Sequence, residues 1–185
     1  MILISSIITP ISTGAKLQSQ LGQLKGDYPY FNWVPVDAYY VPVVNFGHID
    51  NLDLPDIYSK ISENIYDIEP TILYSQSVEI NIKDEITLFV KFQRNKPFEV
   101  IQKRILDTFD LHELNTKENF GTSITIAKYK IPSKQQYLHL KKKISKIDVD
   151  IQIPVTGLNI LESQTENQVS SLSLLKTLKL GDQGN

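Results

Sequence analysis

The side chains best suited to moving a proton near neutral pH are scarce in this sequence. There are three histidines, His48, His112 and His139, and no cysteine among 185 residues. An imidazole titrates near the working range of most enzymes, so a histidine with a second acid or base beside it would be the natural centre of a reaction. The three are scattered, with no His-x-x-x-His or similar spacing, which argues against a zinc site. His48 follows a strand and its turn and could approach a cleft mouth. His112 falls in an irregular polar stretch, and His139 sits among lysines on a helix and reads as solvated. The absence of cysteine excludes disulfides, thiolate catalysis and Cys-ligated zinc, and is compatible with a cytoplasmic location. Glycine-rich phosphate loops and Gly-x-Ser-x-Gly are absent, so neither a nucleotide cofactor nor a hydrolase elbow is expected. Asp84-Glu85 reads as a turn pair, not a catalytic dyad.

Charge narrows the partners further. With 19 Lys and Arg against 21 Asp and Glu, no global field draws the chain to a polyanion, and any contact with nucleic acid must be local. One candidate is the helix over 134–146, whose outer face carries Lys134, Lys141, Lys142, Lys143 and Lys146. A solvated helix face is its plain reading, and a phosphate-contacting patch is the alternative.

Two stretches, over 37–47 and 120–130, look like copies of one strand, each followed by helical periodicity. The apolar run over 1–11 is too short to span a bilayer and lacks a basic leader, so a buried strand ended by Pro10 is expected. Leu17, Leu21 and Leu24 form one stripe on a short helix, with Ser12 or Thr13 as its cap. Ile57, Ile61, Ile65 and Ile68 share a face of a helix opened by Asn51 to Pro55 and closed by Pro70. From Ile72 to Gln93 the period becomes two, a hairpin around Lys83-Asp84-Glu85 with one buried face. Asn95 and Pro97 open a helix with Phe98, Ile101, Ile105 and Phe109 inward. Pro132 and Ser133 open another, with Tyr137, Leu140, Ile144 and Ile147 inward. Residues 149–162 and 171–180 read as two closing strands separated by the polar 163–170. The sum is a single α+β domain over 1–181, built as two pseudo-symmetric lobes of antiparallel sheet with outer helices, which the resemblance given below implies are arranged around a central cleft. It is expected to be monomeric, off the membrane, with 182–185 a flexible end.

This order of elements, with the wording of the paired strands, resembles the two-histidine phosphoesterase superfamily, the group of LigT-type 2′-5′ RNA ligases and RNA 2′,3′-cyclic phosphodiesterases. Asn32-Trp-Val-Pro-Val-Asp-Ala-Tyr-Tyr-Val-Pro-Val-Val-Asn-Phe-Gly resembles the stretch that brings in the family's first His-x-Thr. Phe120-Gly-Thr-Ser-Ile-Thr-Ile-Ala-Lys-Tyr-Lys resembles the second, read in the family as Pro-His-x-Thr-x-Ala-Arg. The resemblance implies a LigT-like fold whose two histidines would lie on the cleft floor, one taking a proton from the attacking oxygen and the other giving one to the leaving oxygen, while the two threonine hydroxyls hold the phosphate.

Those motifs are where the sequence departs. Aligned on Asn45-Phe46-Gly47, the first histidine position falls at Tyr40 and the first threonine position at Pro42. Aligned on Ala127-Lys128, the second histidine position falls at Ser123, while Thr125 keeps the second threonine. A tyrosine titrates near ~10 and a serine hydroxyl far above it, so neither replaces an imidazole unaided. Losing both carriers should remove on the order of 10⁴-fold in rate if each supplies ~10²-fold. Strict alternation would put Tyr40, Pro42, Val44 and Phe46 on one side of the first strand, and Ser123, Thr125, Ala127 and Tyr129 on one side of the second. Tyr40, Val44, Phe46, Ser123, Thr125 and Tyr129 are therefore the expected ligand-facing residues. Pro42 removes a ladder donor and predicts an edge, a bulge or altered pairing. The expected function is a catalytically inactive, two-histidine phosphoesterase-like binding module for a ligand, with RNA or a nucleotide in the cleft, or for a protein partner. The alternative is a cyclic phosphodiesterase or RNA ligase-like enzyme that brings in His48 or His112.

Overall fold

The computed structural model describes residues 2–115, 122–130, 132–166 and 169–181. The flexible end expected at 182–185, and the opening of the second paired stretch at 120–121, lie outside the described residues.

Apolar spacing and turn residues set the elements. β1 (Ile2–Ile8) is the expected buried strand. The leucine stripe folds as two helices, α1 (Ile11–Gln20) and α2 (Gly22–Asp27), and Leu17, Leu21 and Leu24 are all buried. The cap is Pro10, with no hydroxyl cap from Ser12 or Thr13. A two-residue strand, β2 (Asn32–Trp33), precedes β3 (Tyr40–His48). In α3 (Leu54–Ile65), Ile57, Ile61 and Ile65 face inward, and the helix stops before Ile68 and Pro70. The hairpin is β4 (Thr71–Ile82) and β5 (Ile86–Phe92). Then comes α4 (Lys96–Phe109), capped by the Asn95 side chain, which accepts from the Phe98 amide at 2.9 Å. The same Asn95 donates to Thr71 Oγ1 and the Ile72 carbonyl, so the cap also fastens α4 to β4.

The short α5 (His112–Asn115) leads towards β6 (Ser123–Tyr129) and α6 (Lys134–Ile144). Ser133 and Gln136 close a reciprocal capping box at the start of α6. The single closing strand expected over 149–162 is two strands in different sheets, β7 (Gln152–Val155) and β8 (Gly157–Glu166). β8 and β9 (Val169–Lys179) also run well into the polar stretch expected to separate them. Cross-strand pairing overrode its polarity, as it does where a hairpin supplies the ladder partner. Gly157 sits where the chain passes between sheets, and a β-carbon there would fall 2.4 Å from the Leu178 carbonyl oxygen.

The strands form two antiparallel sheets, in the orders β3-β1-β8-β9 and β2-β6-β5-β4-β7. The protein is thus α+β, and β3 lies against β6 where the sheets meet. Helices back both sheets. Lys176, paired across the ladder with Ile160, stands over the Tyr58 ring of α3, so α3 covers the face that carries Ile160. On the second sheet α6 covers the face of Ile86 and Tyr129. Among the described residues no helix is long and apolar enough to cross a membrane.

Candidate functional site

The faces turned away from α3 and α6 are where the chemistry would lie. On β3 the strict alternation is broken twice. Its register with β1 pairs Tyr40 with Ile8, Val41 with Ile7 and Pro42 with Ser6, then skips Val43 to pair Val44 with Ser5 and Asn45 with Ile4, then skips Phe46 to pair Gly47 with Leu3 and His48 with Ile2. Each bulge reverses the side to which later residues point. Directly paired residues share a face, so Tyr40, Pro42, Asn45 and His48 stand together, with Val41 and Val44 on the other side. Val44 is 1% exposed and belongs to the core. Phe46 is 5% exposed and packs edge-on against Phe109 of α4 at 5.1 Å. Neither shares the open face with Tyr40.

Ser5 holds the first bulge. Its hydroxyl accepts from the Val44 amide at 3.1 Å and lies 3.3 Å from the Val44 carbonyl, in a fully buried position. Gln102 of α4 donates to the carbonyl of the bulged Val43 at 2.9 Å. Ser5→Ala leaves the buried Val44 amide without this acceptor and should cost about 1–3 kcal/mol in urea denaturation, with little change in m-value. β3 is the edge of its sheet, as Pro42 predicts.

On the second sheet three rows cross the face opposite α6. Ser77, Lys91 and Ser123 form one, Glu79, Phe89 and Thr125 the next, and Asn81, Thr87 and Lys128 the third. A register shift between Leu88 and Phe89 leaves Ile126 outside the pairing. It puts Tyr129 on the α6 side, away from Ser123 and Thr125, so Tyr129 does not share their face. Ser123 is 5% exposed and Thr125 half-buried. Lys91, directly across from Ser123, holds its ammonium 3.4 Å from Glu79 Oε1, and Ser77 Oγ donates to the same carboxylate at 3.1 Å. Lys128 pairs with Glu85 at 2.8 Å. In the hairpin β5 is buried on both faces, since Thr87 and Phe89 are covered along with Leu88 and Val90, whereas on β4 Ser77, Glu79 and Asn81 stay partly exposed.

Tyr40 and Pro42 thus project from the face of β3 turned away from α3, and Ser123 and Thr125 from the face of β6 turned away from α6, on two strands that lie against each other. Sequence reasoning missed Lys91. Its alternation with Phe89 is legible in the hairpin, but only the register reveals that a cation stands beside Ser123. His48 is exposed at the far end of the face shared by Tyr40 and Pro42. His112 Nε2 lies 2.7 Å from Asp107 Oδ1 on the exposed end of α4, and His139 is exposed on α6. Among the described residues no three His, Asp or Glu side chains gather as a metal site would require.

Two solved structures superpose on nearly the whole chain. TT0787 of Thermus thermophilus matches with a TM-score of 0.72 at 15% identity, covering 100% of each chain. E. coli LigT in its apo form matches with a TM-score of 0.69 at 10% identity, covering 97% of this chain and 96% of that one. The chain has the LigT-like fold. LigT complexed with 3′-AMP superposes likewise, with a TM-score of 0.64 at 12% identity over 96% of each chain. No family model matches the sequence, and no curated protein matches it. At such identities the LigT-like likeness is one of architecture, and the side chains on its open faces are this chain's own.

Proposed function

We propose that this chain is a binding protein on a LigT-like scaffold, whose cleft takes up a nucleotide phosphate, free or at an RNA end, and does not cleave it. The observation that carries the reading is the identity of the four residues on the faces of β3 and β6 turned away from α3 and α6. Tyr40, Ser123 and Thr125 bring hydroxyls, Pro42 brings none, and no imidazole stands at positions 40 or 123. Hydroxyls hold a phosphate by hydrogen bonds, but proton transfer at neutral pH needs a group that titrates there. Lys91 supplies the positive charge beside Ser123, tempered by Glu79.

LigT itself has been crystallised with 3′-AMP, ATP and NADP+, which supports a nucleotide as the class of ligand. The relocated-histidine alternative finds less support, because His112 is engaged with Asp107 and His48 sits at the strand end. We place the protein in the cytoplasm as a monomer.

Phosphorus NMR of 2′,3′-cyclic AMP tests the proposal, because one spectrum reports both binding and ring opening. The cyclic phosphate resonance should broaden or shift on adding protein and persist unopened, and Lys91→Gln should weaken the effect about tenfold, the worth of one charge-assisted contact. A spectrum unchanged by protein, or one that converts to the monophosphate, contradicts the reading.

A further inference from the structure

The second sheet carries an aromatic concavity on the side opposite Ser123 and Thr125, between the β2–β6 edge and the start of α6. Tyr28, Tyr30, Phe31, Tyr129, Lys130 and Gln136 are among its walls, and its volume is about 380 Å³, towards the lower end of the range for small-molecule sites. None of Tyr40, Pro42, Ser123 or Thr125 lines it. Its rings form a continuous array. Phe31 and Tyr129 lie parallel, 8° apart with centroids at 4.8 Å, Tyr30 leans on Tyr129 at 5.1 Å, and Trp33 extends the stack from Phe31 at 6.2 Å.

The array is open at one member. Tyr30 keeps 53% of its surface exposed although it is flanked by three other rings, so an aromatic face is presented to solvent at the mouth of a cavity. Lys130 stands beside it, its ammonium 5.7 Å from the Tyr129 ring centre. No carboxylate is among the lining residues, and nearby Asp27 is paired with Lys143 at 2.6 Å.

These features select a ligand. A ligand ammonium, which aromatic boxes otherwise favour, would meet Lys130 with no carboxylate to offset it. Proline-rich peptides also dock on aromatic grooves, but nothing here calls for the positive charge in that case. A planar ring joined to an anion uses both parts, the ring stacking on Tyr30 and the anion meeting Lys130. We propose that this concavity is a second binding site, independent of the cleft, that takes one nucleotide by stacking its base on Tyr30 and meeting its phosphate with Lys130. The shared chemistry fits a free nucleotide or one unit of a single strand.

The sequence contains a single tryptophan, and Trp33 is a member of the stacked array, so its fluorescence reports on this site. AMP and a hexaadenylate should each be titrated into the wild type, Tyr30→Ala, Lys130→Gln and the cleft variant Lys91→Gln. The expected result is a saturable change in Trp33 emission that Lys91→Gln leaves intact. Tyr30→Ala should weaken it by ~10-fold or more, from the worth of one stacked base. Lys130→Gln should flatten the salt dependence of hexaadenylate binding by roughly 0.7 in log–log slope, the contribution of one phosphate contact on a single strand. A response to AMP identifies a free nucleotide as sufficient, and a response to the hexamer alone identifies a strand. Three results overturn the site: no response to either ligand, a response abolished by Lys91→Gln and untouched by Tyr30→Ala, or a response to a polyproline decamer and to neither nucleotide. Tyr30 is half exposed, so its loss should leave the fold standing, which circular dichroism checks.

Discussion

Changing Tyr40 and Ser123 together to histidine, with Pro42→Thr to restore the missing hydroxyl, should raise hydrolysis of a 2′,3′-cyclic phosphate at least ~10²-fold above the wild-type protein. Either histidine alone should gain little, because an attack that needs both a base and an acid stays slow when one is missing. The structure supplies what the substitutions need. Tyr40 and Pro42 point from the same face of β3, Ser123 and Thr125 from the same face of β6, and the two strands adjoin. An edge position also tolerates the N–H that threonine returns at 42. Initial rates over pH 5–9 would decide it. A bell-shaped profile in the triple variant, absent from either single histidine variant, would mark two titrating groups working together.

The largest loss of stability is expected from Phe98→Ala. Phe98 is 1% exposed, in the first turn of α4, beside the Asn95 cap that ties the helix to β4. Truncation removes a buried ring and leaves a cavity that the capped turn cannot collapse to fill, a cost of about 3–5 kcal/mol. Against the ~5–15 kcal/mol of total stability usual for a folded protein that is a large share. Chemical denaturation should show a much lower midpoint with the m-value kept. A shift under ~1 kcal/mol would mean that the turn repacks around the smaller side chain, at the low end of what buried truncations cost.

The order of elements was legible because apolar period and capping residues agree along most of the chain. Ile57, Ile61 and Ile65 spell one helix face, Asn95-Lys96-Pro97 a helix start, and Lys83-Asp84-Glu85 a hairpin turn, and each appears where the pattern puts it. Which candidate residues share a face was legible only in part. Tyr40 and Pro42 share a face, as do Ser123 and Thr125, but period-two counting fails for Val44, Phe46 and Tyr129, because a bulge shifts parity and has no residue signature beyond a hint such as Pro42. The division of 149–162 between two sheets and the placing of Lys91 beside Ser123 depend on which strands pair, and pairing over more than 30 residues is fixed by tertiary packing.

In the function proposed above, the LigT-like cleft keeps its shape and lacks its proton carriers. The most direct test is the initial rate of 2′,3′-cyclic AMP hydrolysis by the wild type, His48→Ala and His112→Ala, each against a blank without protein. All three rates should match the blank. Wild-type turnover well above it, lost on replacing either histidine, would contradict the account and place a relocated imidazole in the cleft.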